Sequence, residues 1–502
     1  MTFTDYVFEK SFNLEKTAVI DDKETKVSYR EIYININRVT NLLAEKKYNK
    51  KDSVLIVSDN CQFFITTYFG IIKSGSICVP INPVTSSEDI KYIIDILEIK
   101  LVFVQKKYKA KIQNIINDDV ELYTEKDLET IKFNGVLDVN NNINIKEDTS
   151  VIMFTSGSTD KPKGVMLTHY NLIYNTESIV DYLNLTEKDI IEVVLPFYYC
   201  YGTSLLNTHF RCGGTVVINN KFMFPQSVVE HINKYKCTGF AGVPSTYQIL
   251  LRMTNFKECK FPSLRYITQA GGRLPEVFIK ELSDTLRNVD IYIMYGQTEA
   301  TARLSYLPPS KIKSKLGSIG KGIPGTEIKV LNKNGVEVKP GEVGEVVAKG
   351  ENIMKGYFND KESTEKVIKA GLLYTGDLAT VDEDGYVYIV SREKNIIKSG
   401  GNRISPKEIE NLIVKIPEVV ECVVIGIEDD VLGEAVKAFV VLKSKEVSLD
   451  FKFIVDYCKN KLPKYKVPKY VEFLDTLPKN SSGKVLLKVL KDKEKRETRR
   501  YD

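Results

Sequence analysis

The run FTSGSTDKPKG, from Phe154 to Gly164, gathers small, hydroxylated and cationic residues in one short stretch. Gly157 and Gly164 let the backbone approach an anion. The hydroxyls of Thr155, Ser156, Ser158 and Thr159 can donate hydrogen bonds, and Lys161 and Lys163 supply positive charge. That is the chemistry of a polyphosphate cradle. It is not the Walker loop, because counting from Gly157 puts Pro162 where G-x-x-x-x-G-K-[ST] requires its second glycine. A Ser/Gly-rich surface turn would share the composition, so the reading depends on what else the chain carries. Four further stretches hold reactive side chains: YGQTEA at Tyr295–Ala300, YTGDL at Tyr374–Leu378, SREKNIIKSGGNRISPKEIE at Ser391–Glu410 and PKNSSGKVLLK at Pro478–Lys488.

The elements that must position these residues are legible as short apolar runs between helical patterns. SVLIVS near Ser53, ICVPI near Ile77, KLVFVQ near Lys100, IIEVVLP near Ile190 and GTVVIN near Gly214 read as strands apolar on both faces, which argues for layered α/β architecture with largely parallel sheets. The polar segment Asp138–Asn144 reads as a linker before the strand VIMFT, so the Ser/Gly loop follows a strand end, where ligands of α/β sheets bind. From Lys311 onward, closely spaced glycines and alternating segments such as TEIKVLN and GEVVAKG predict a smaller β-rich subdomain. GKGIPG, Gly320–Gly325, matches the dinucleotide fingerprint by letters. We reject that match, because the residues after it alternate like a strand and no helix opens there. After Arg392 comes a compact α/β unit large enough to be its own domain.

The bulk properties exclude several classes. With 502 residues, more than one domain is expected, and 43% hydrophobic and 27% charged residues describe an ordinary globular protein. A net charge of +5, from 71 basic and 66 acidic residues, offers no large footprint for nucleic acid. The basic tail Lys488–Arg500 reads as a solvated helix face. Eight cysteines without a C-x-x-C pair read as reduced thiols of a cytoplasmic protein, and the N-terminus does not resemble a secretory signal. The most apolar window, Cys61–Ile81, is broken by Lys73, Gly75 and Pro80 and fits a buried helix running into a strand rather than a membrane span.

The five motifs, in this order and at these separations, resemble the adenylate-forming superfamily of acyl-CoA synthetases, luciferases and peptide-synthetase adenylation domains. The resemblance covers nearly the whole chain. It implies a large N-terminal ATP- and acyl-binding domain, residues 1–393, built of layered α/β sheets with the β-rich subdomain, and a small mobile C-terminal α/β lid domain, residues 394–502. It implies ATP-dependent activation of a carboxylic acid to an acyl-adenylate with release of pyrophosphate, followed by transfer to a thiol, with ATP, Mg²⁺ and CoA or a phosphopantetheine arm as cofactors. Residue by residue, it implies that Thr155, Ser156, Gly157, Ser158, Thr159 and Lys163 hold the β- and γ-phosphates. Tyr295 lies against adenine, Thr298 bonds the α-phosphate, Glu299 helps hold Mg²⁺, and Gly271 and Gly272 flank the adenine and acyl group. Asp377, whose two oxygens suit paired ribose hydroxyls, and Arg392 meet the sugar. Lys484 joins the carboxylate to the α-phosphate in the first step, Lys394 is the hinge, and Lys398 with Gly400 approaches in the second.

Two positions depart from family patterns. Tyr199 stands where many acyl- and aryl-CoA synthetases carry His, and Gly202 stands where amino-acid-activating relatives carry an ammonium-binding Asp. A buried ammonium without a carboxylate is costly, so a simple amino acid is disfavoured. The segment Phe197–Gly202 suits an apolar or hydroxylated acyl chain, and equally a packed core. The readings are, in order, an acyl-CoA synthetase, an acyl-carrier-protein-loading ligase or maker of a stable adenylate, an amino-acid adenylation enzyme, and a non-catalytic nucleotide-binding regulator.

Overall fold

Strands with branched apolar residues on both faces can be covered only from both sides, and the chain supplies the cover by alternating them with helices. In the computed structural model, which describes residues 1–131, 142–155, 161–392, 395–444, 449–480 and 483–498, this yields two large sheets. One has seven strands, with Ile77–Ile81, Ser53–Val57, Leu101–Val104 and Glu121–Tyr123 parallel to one another and Thr149–Thr155 continuing them in parallel. The hairpin partner Lys163–Thr168 runs antiparallel to Thr149–Thr155, pairing Thr155 with Lys163. The other has nine strands. Asp290–Tyr295, Tyr266–Gln269, Gly239–Gly242, Ile190–Val193, Thr215–Ile218 and Thr17–Ile20 lie side by side in parallel, with antiparallel strands at both edges.

One continuous core fills the space between these sheets. Val54, Ile56 and Val151 from the first meet Ile191, Val193 and Val216 from the second through the helices Tyr29–Glu45, Gln62–Ser74 and Cys200–Cys212. The apolar window Cys61–Ile81 is that helix followed by the Ile77–Ile81 strand, as its broken hydrophobicity requires. Among the described residues, no helix is long and apolar enough to cross a membrane. The linker at Asp138–Asn144 falls mostly outside the described residues.

The β-rich part is a five-stranded antiparallel sheet of Glu327–Leu331, Gly344–Lys349, Leu372–Val381, Ile368–Lys369 and Val387–Arg392. Within GKGIPG, Lys321–Gly322 is a strand and the next element is the Glu327–Leu331 strand, so no helix opens at the glycines. A second five-stranded sheet uses Ile397–Ser399, Asn402–Ile404, Val419–Asp429, Gly433–Leu442 and Tyr470–Phe473. It meets the rest of the molecule at the helix Pro244–Met253, whose Ile249 packs with Val420, Val423 and Leu477. The basic tail forms the helix Leu487–Thr498. Its basic face is largely exposed, as expected, while Leu490 is buried and Glu494 accepts from Lys437 at 2.7 Å.

Candidate active site

Parallel strands of the nine-stranded sheet end at one edge, and two of the segments singled out in the sequence, with a third that was not, follow directly from those ends. Tyr295 closes Asp290–Tyr295, and Gly271 and Gly272 follow Tyr266–Gln269, where Gln269 Nε2 donates to the Gly272 carbonyl at 2.8 Å. Val243–Ser245 follows Gly239–Gly242 and opens the Pro244–Met253 helix.

After Tyr295 the chain makes a 3₁₀ turn at Thr298–Ala300, and Thr301 then adopts φ 65° and ψ −62°. The Ala302 N–H donates to the Ala300 carbonyl at 2.7 Å across it, the geometry of a γ-turn that a β-branched residue adopts only at a cost of about 1–3 kcal/mol. Contacts from a distant segment hold the strain: Thr301 Oγ1 donates to the Asn352 carbonyl at 2.7 Å, and Met354 N–H to the Glu299 carbonyl at 2.9 Å. The turn thereby fixes two side chains. Thr298 Oγ1 reaches Cys200 Sγ at 3.6 Å, and Glu299 Oε1 accepts from the Tyr357 hydroxyl at 2.8 Å. Burial and then the Glu299 charge push the Tyr357 phenol well above its ordinary value, so it stays a donor.

Lys163, at the start of its strand, extends this chain of contacts. Its ammonium lies over the Tyr357 ring, 5.2 Å from the centroid, bonds Ser363 Oγ and stands 3.5 Å from Asp360. The expected phosphate-loop cation and the expected metal carboxylate thus share one tyrosine. Thr155 ends its own strand, whereas Ser156, Gly157, Ser158, Thr159 and the hinge candidate Lys394 lie outside the described residues. Among the described residues, no three carboxylate, histidine or cysteine side chains gather around a metal position. One carboxylate, Glu299, on the same tyrosine as Lys163 fits Mg²⁺, which is commonly held by one or two carboxylates plus substrate phosphates and water.

Asp377 and Arg392 come together as a pair. Asp377 is 5% exposed; Oδ1 accepts from Arg392 Nε at 2.9 Å and Oδ2 from the Tyr295 hydroxyl at 2.8 Å. Burial works against the Arg392 charge, but the adjacent Asp377 carboxylate outweighs it and holds the pKa above its ordinary value. Burial and Asp377 also keep the Tyr295 phenol protonated. A carboxylate offers about four lone-pair sites, so two used here leave two for a vicinal diol.

The Lys484 loop arrives from the other five-stranded sheet. A bridge pairs Lys479 with Val485, Asn480 Oδ1 accepts from the Lys484 N–H at 2.9 Å, and Lys479 Nζ meets buried Glu421 at 2.6 Å. Burial raises the Glu421 pKa and Lys479 opposes it. At its tip Gly483, φ +79°, lets the backbone press onto Val243, and Ser245 Oγ donates to the Gly483 carbonyl at 2.8 Å. Lys398 is elsewhere: it is exposed on the Ile397–Ser399 strand, paired with Arg403, and its N–H donates to Glu434.

Tyr199 caps the Cys200–Cys212 helix and its ring packs on Tyr198. The argument drawn from Gly202 needs correction. A Cβ there would overlap the Pro196 carbonyl, so the glycine is dictated by backbone packing and says nothing about the charge of a substrate. Tyr357, Asn352 and Ser245 were missed in the sequence; the only local signal was the N-cap Asp360 with Ser363 just after Tyr357.

The fold and the chemistry gathered at the carboxyl edge of its parallel sheet, beside a second, smaller sheet, are those of a nucleotide-using enzyme. Residues 9–358 match the model of the AMP-binding enzyme family and residues 408–484 that of the AMP-binding enzyme C-terminal domain. The chain belongs to the AMP-binding enzyme family. It is 32% identical to 2-succinylbenzoate–CoA ligase of Bacillus subtilis, with 96% of each chain covered, and 33% identical to crotonobetaine/carnitine–CoA ligase of Proteus mirabilis, covering 95% of this chain and 96% of that one. O-succinylbenzoate coenzyme A synthetase (MenE) from Bacillus subtilis, in complex with ATP and magnesium ion, superposes with a TM-score of 0.84 at 28% identity, over 98% of this chain and 99% of that one.

Proposed function

We propose that the protein is an AMP-forming acid–CoA ligase whose site residues divide between two steps. In the first, a carboxylate oxygen of the acid attacks the α-phosphorus of ATP; the new O–P bond forms as the bond to pyrophosphate breaks. Two anions must meet and charge builds on phosphoryl oxygens, so the site needs oriented cations and donors more than a protein nucleophile. Lys484 bridges the two reactants, Thr298 donates to the α-phosphate, and Lys163 with the Thr155–Thr159 loop holds the outer phosphates. Asp377, steadied by Arg392 and Tyr295, takes the ribose, while Gly271 and Gly272 border the adenine. Glu299 would hold Mg²⁺, which supplies positive charge to the phosphate oxygens when bound.

In the second step the CoA sulfur attacks the acyl carbon, the C–S bond forms and AMP leaves. Turning the unit after residue 393 about Lys394 would withdraw Lys484 and bring Lys398 toward the adenylate. CoA is favoured as acceptor over a carrier protein because the relatives are CoA ligases. We place the enzyme in the cytoplasm, since all eight cysteines are free.

The observation that carries the reading is Ser245 holding the Lys484 loop at the strand edge that also bears Gly271, Thr298 and Glu299. The test is ATP–pyrophosphate exchange across a panel of carboxylic acids, with CoA and carrier protein then supplied separately. Acid-dependent exchange that needs Mg²⁺ is expected; formation of ADP instead would overturn adenylation.

A further inference from the structure

Residues 351–363 stitch the two large sheets together beside the residues expected to meet phosphate and metal. Asn352 is fully buried; its carbonyl accepts from Thr301 Oγ1 at 2.7 Å, and its Nδ2 donates to the Arg303 carbonyl at 2.7 Å. With the Met354 N–H on the Glu299 carbonyl, these bonds hold the turn that follows the Asp290–Tyr295 strand. The same segment then becomes an edge strand of the seven-stranded sheet. Gly356 and Tyr357 pair with Met166 and Val165, and the Phe358 N–H donates to the Gly164 carbonyl at 2.8 Å. Asp360 next caps the Lys361–Val367 helix, accepting from the Ser363 N–H at 2.9 Å.

Tyr357 stands where the two attachments meet. It is 8% exposed, and its N–H donates to Thr364 Oγ1 at 2.9 Å, so the backbone that carries the ring is fixed. Its hydroxyl donates to Glu299 Oε1 at 2.8 Å, which leaves Oε2 for a second partner. Lys163 is two residues from Val165, the partner of Tyr357 in the ladder, so both side chains lie on one face of the sheet. That placement puts the ammonium over the ring, where Ser363 and Asp360 also hold it. A phenylalanine would fill the same space and seat the same ammonium. The hydroxyl adds one thing, a bond to a carboxylate that comes from the other sheet. A carboxylate that binds a metal with few other protein ligands needs a set orientation, and losing such an outer partner costs about 10–100-fold in metal affinity.

We propose that Tyr357 is a positioning residue for the metal-bound nucleotide: its hydroxyl orients the Glu299 carboxylate for a divalent cation, and its ring seats the Lys163 ammonium for the outer phosphates. The inference rests on the ligase reading above, in which Glu299 and Lys163 have those roles, and adds the side chain that sets them relative to each other. Because the carboxylate and the ammonium belong to different sheets, their spacing depends on a group that touches both.

The test is a titration of Mn²⁺, a paramagnetic substitute for Mg²⁺, into the full chain held in excess over a non-hydrolysable ATP analogue, with free Mn²⁺ read by electron spin resonance. Binding of the analogue in EDTA is measured alongside. Tyr357→Phe removes the hydroxyl and keeps the ring, so the Kd for Mn²⁺ should rise about tenfold, while affinity for the metal-free analogue stays within about twofold. Tyr357→Leu removes the ring as well, and the metal-free analogue should then bind about three- to tenfold more weakly. In a Glu299→Ala background, Tyr357→Phe should add no further loss of Mn²⁺ affinity, since the hydroxyl acts through that carboxylate. A folded Tyr357→Phe with wild-type Mn²⁺ affinity overturns the inference, as does a loss that persists in the Glu299→Ala background. Equal weakening of metal and metal-free nucleotide in Tyr357→Phe would show a packing role alone and overturns it too. Unchanged metal-free binding in Tyr357→Leu overturns the seating of Lys163. If Glu299→Ala itself leaves Mn²⁺ affinity unchanged, the metal assignment of the ligase reading fails, and this inference with it.

Discussion

The Tyr295–Ala302 turn and the Lys484 loop both end at the same strand edge, but they are held there in different ways. The turn is built into the nine-stranded sheet, and its strained Thr301 is pinned by Asn352 and Met354 from a segment some fifty residues on. The loop is tied firmly to its own sheet by the Lys479–Val485 bridge and the Lys479–Glu421 ion pair. It meets the Pro244–Met253 helix through the Ser245 hydroxyl, which donates to the Gly483 carbonyl. One element is held by its own sheet and a distant segment, the other by a different sheet. That division fits the proposed two-step reaction, in which the turn would serve the nucleotide and Lys484 would serve adenylation.

The largest effect should come from the loop's side chain. Lys484→Ala is expected to lower acid-dependent exchange by about a thousandfold, the upper range for one preorganised electrostatic contact, while thioester formation from a supplied acyl-adenylate stays within about twofold. Equal loss of both steps in single-turnover assays would break the comparison. Thr298→Ala and Glu299→Ala come next, each losing about a hundredfold in exchange. Near-wild-type exchange in either would mean that the turn is not the nucleotide's anchor.

A smaller effect sharpens the contrast between firm and releasable attachment. Lys479→Met removes the partner of buried Glu421 and should cost about tenfold in exchange. It should also lower Tm more at pH 8 than at pH 4.5. The sign follows from Glu421, whose pKa burial already raises. The folded state holds its proton more tightly than the unfolded chain, so stability is greatest below the ordinary carboxylate range and falls as pH rises through the raised value. Without Lys479 the fall is larger. A Tm difference independent of pH would show that the pair does not hold the loop. The smallest effect is Ser245→Ala, about three- to tenfold on exchange, as for one net hydrogen bond, with no change in thioester formation from supplied adenylate. Loss in the second step would mean that Ser245 does more than seat the loop.

Much of this was legible in the chain. The strands at Ser53, Ile77, Leu101, Ile190 and Thr215 follow from apolar runs that can be satisfied only inside a layered sheet, and Thr298, Glu299, Asp377 and Lys484 stand out because the ordered motifs that contain them resemble those of the adenylate-forming superfamily. Gly202 misled because a missing side chain has two causes, an open pocket or a close backbone, and only the Pro196 carbonyl distinguishes them. In the basic tail the charged helix face is visible locally, but the surface that buries Leu490 is not.

What the sequence by itself determined is the order of elements and the chemical inventory: which residues can form strands, where the anion-binding glycines and lysines lie, and which acids and cations are on hand. Those depend on interactions between near neighbours and on side-chain chemistry, both written locally. What only the tertiary structure decided is partnership. Ser245 and Gly483 are 238 positions apart, Glu299 and Tyr357 are 58 apart, and Asp377 shares its oxygens with Tyr295 and Arg392 from two different sheets. Arg303 looks like an ordinary surface cation until the sheet and the Cys200–Cys212 helix close over it. Burial turns a common residue into a specific one, because a charge removed from water must be matched by what the fold places beside it, here Tyr182 and Tyr201.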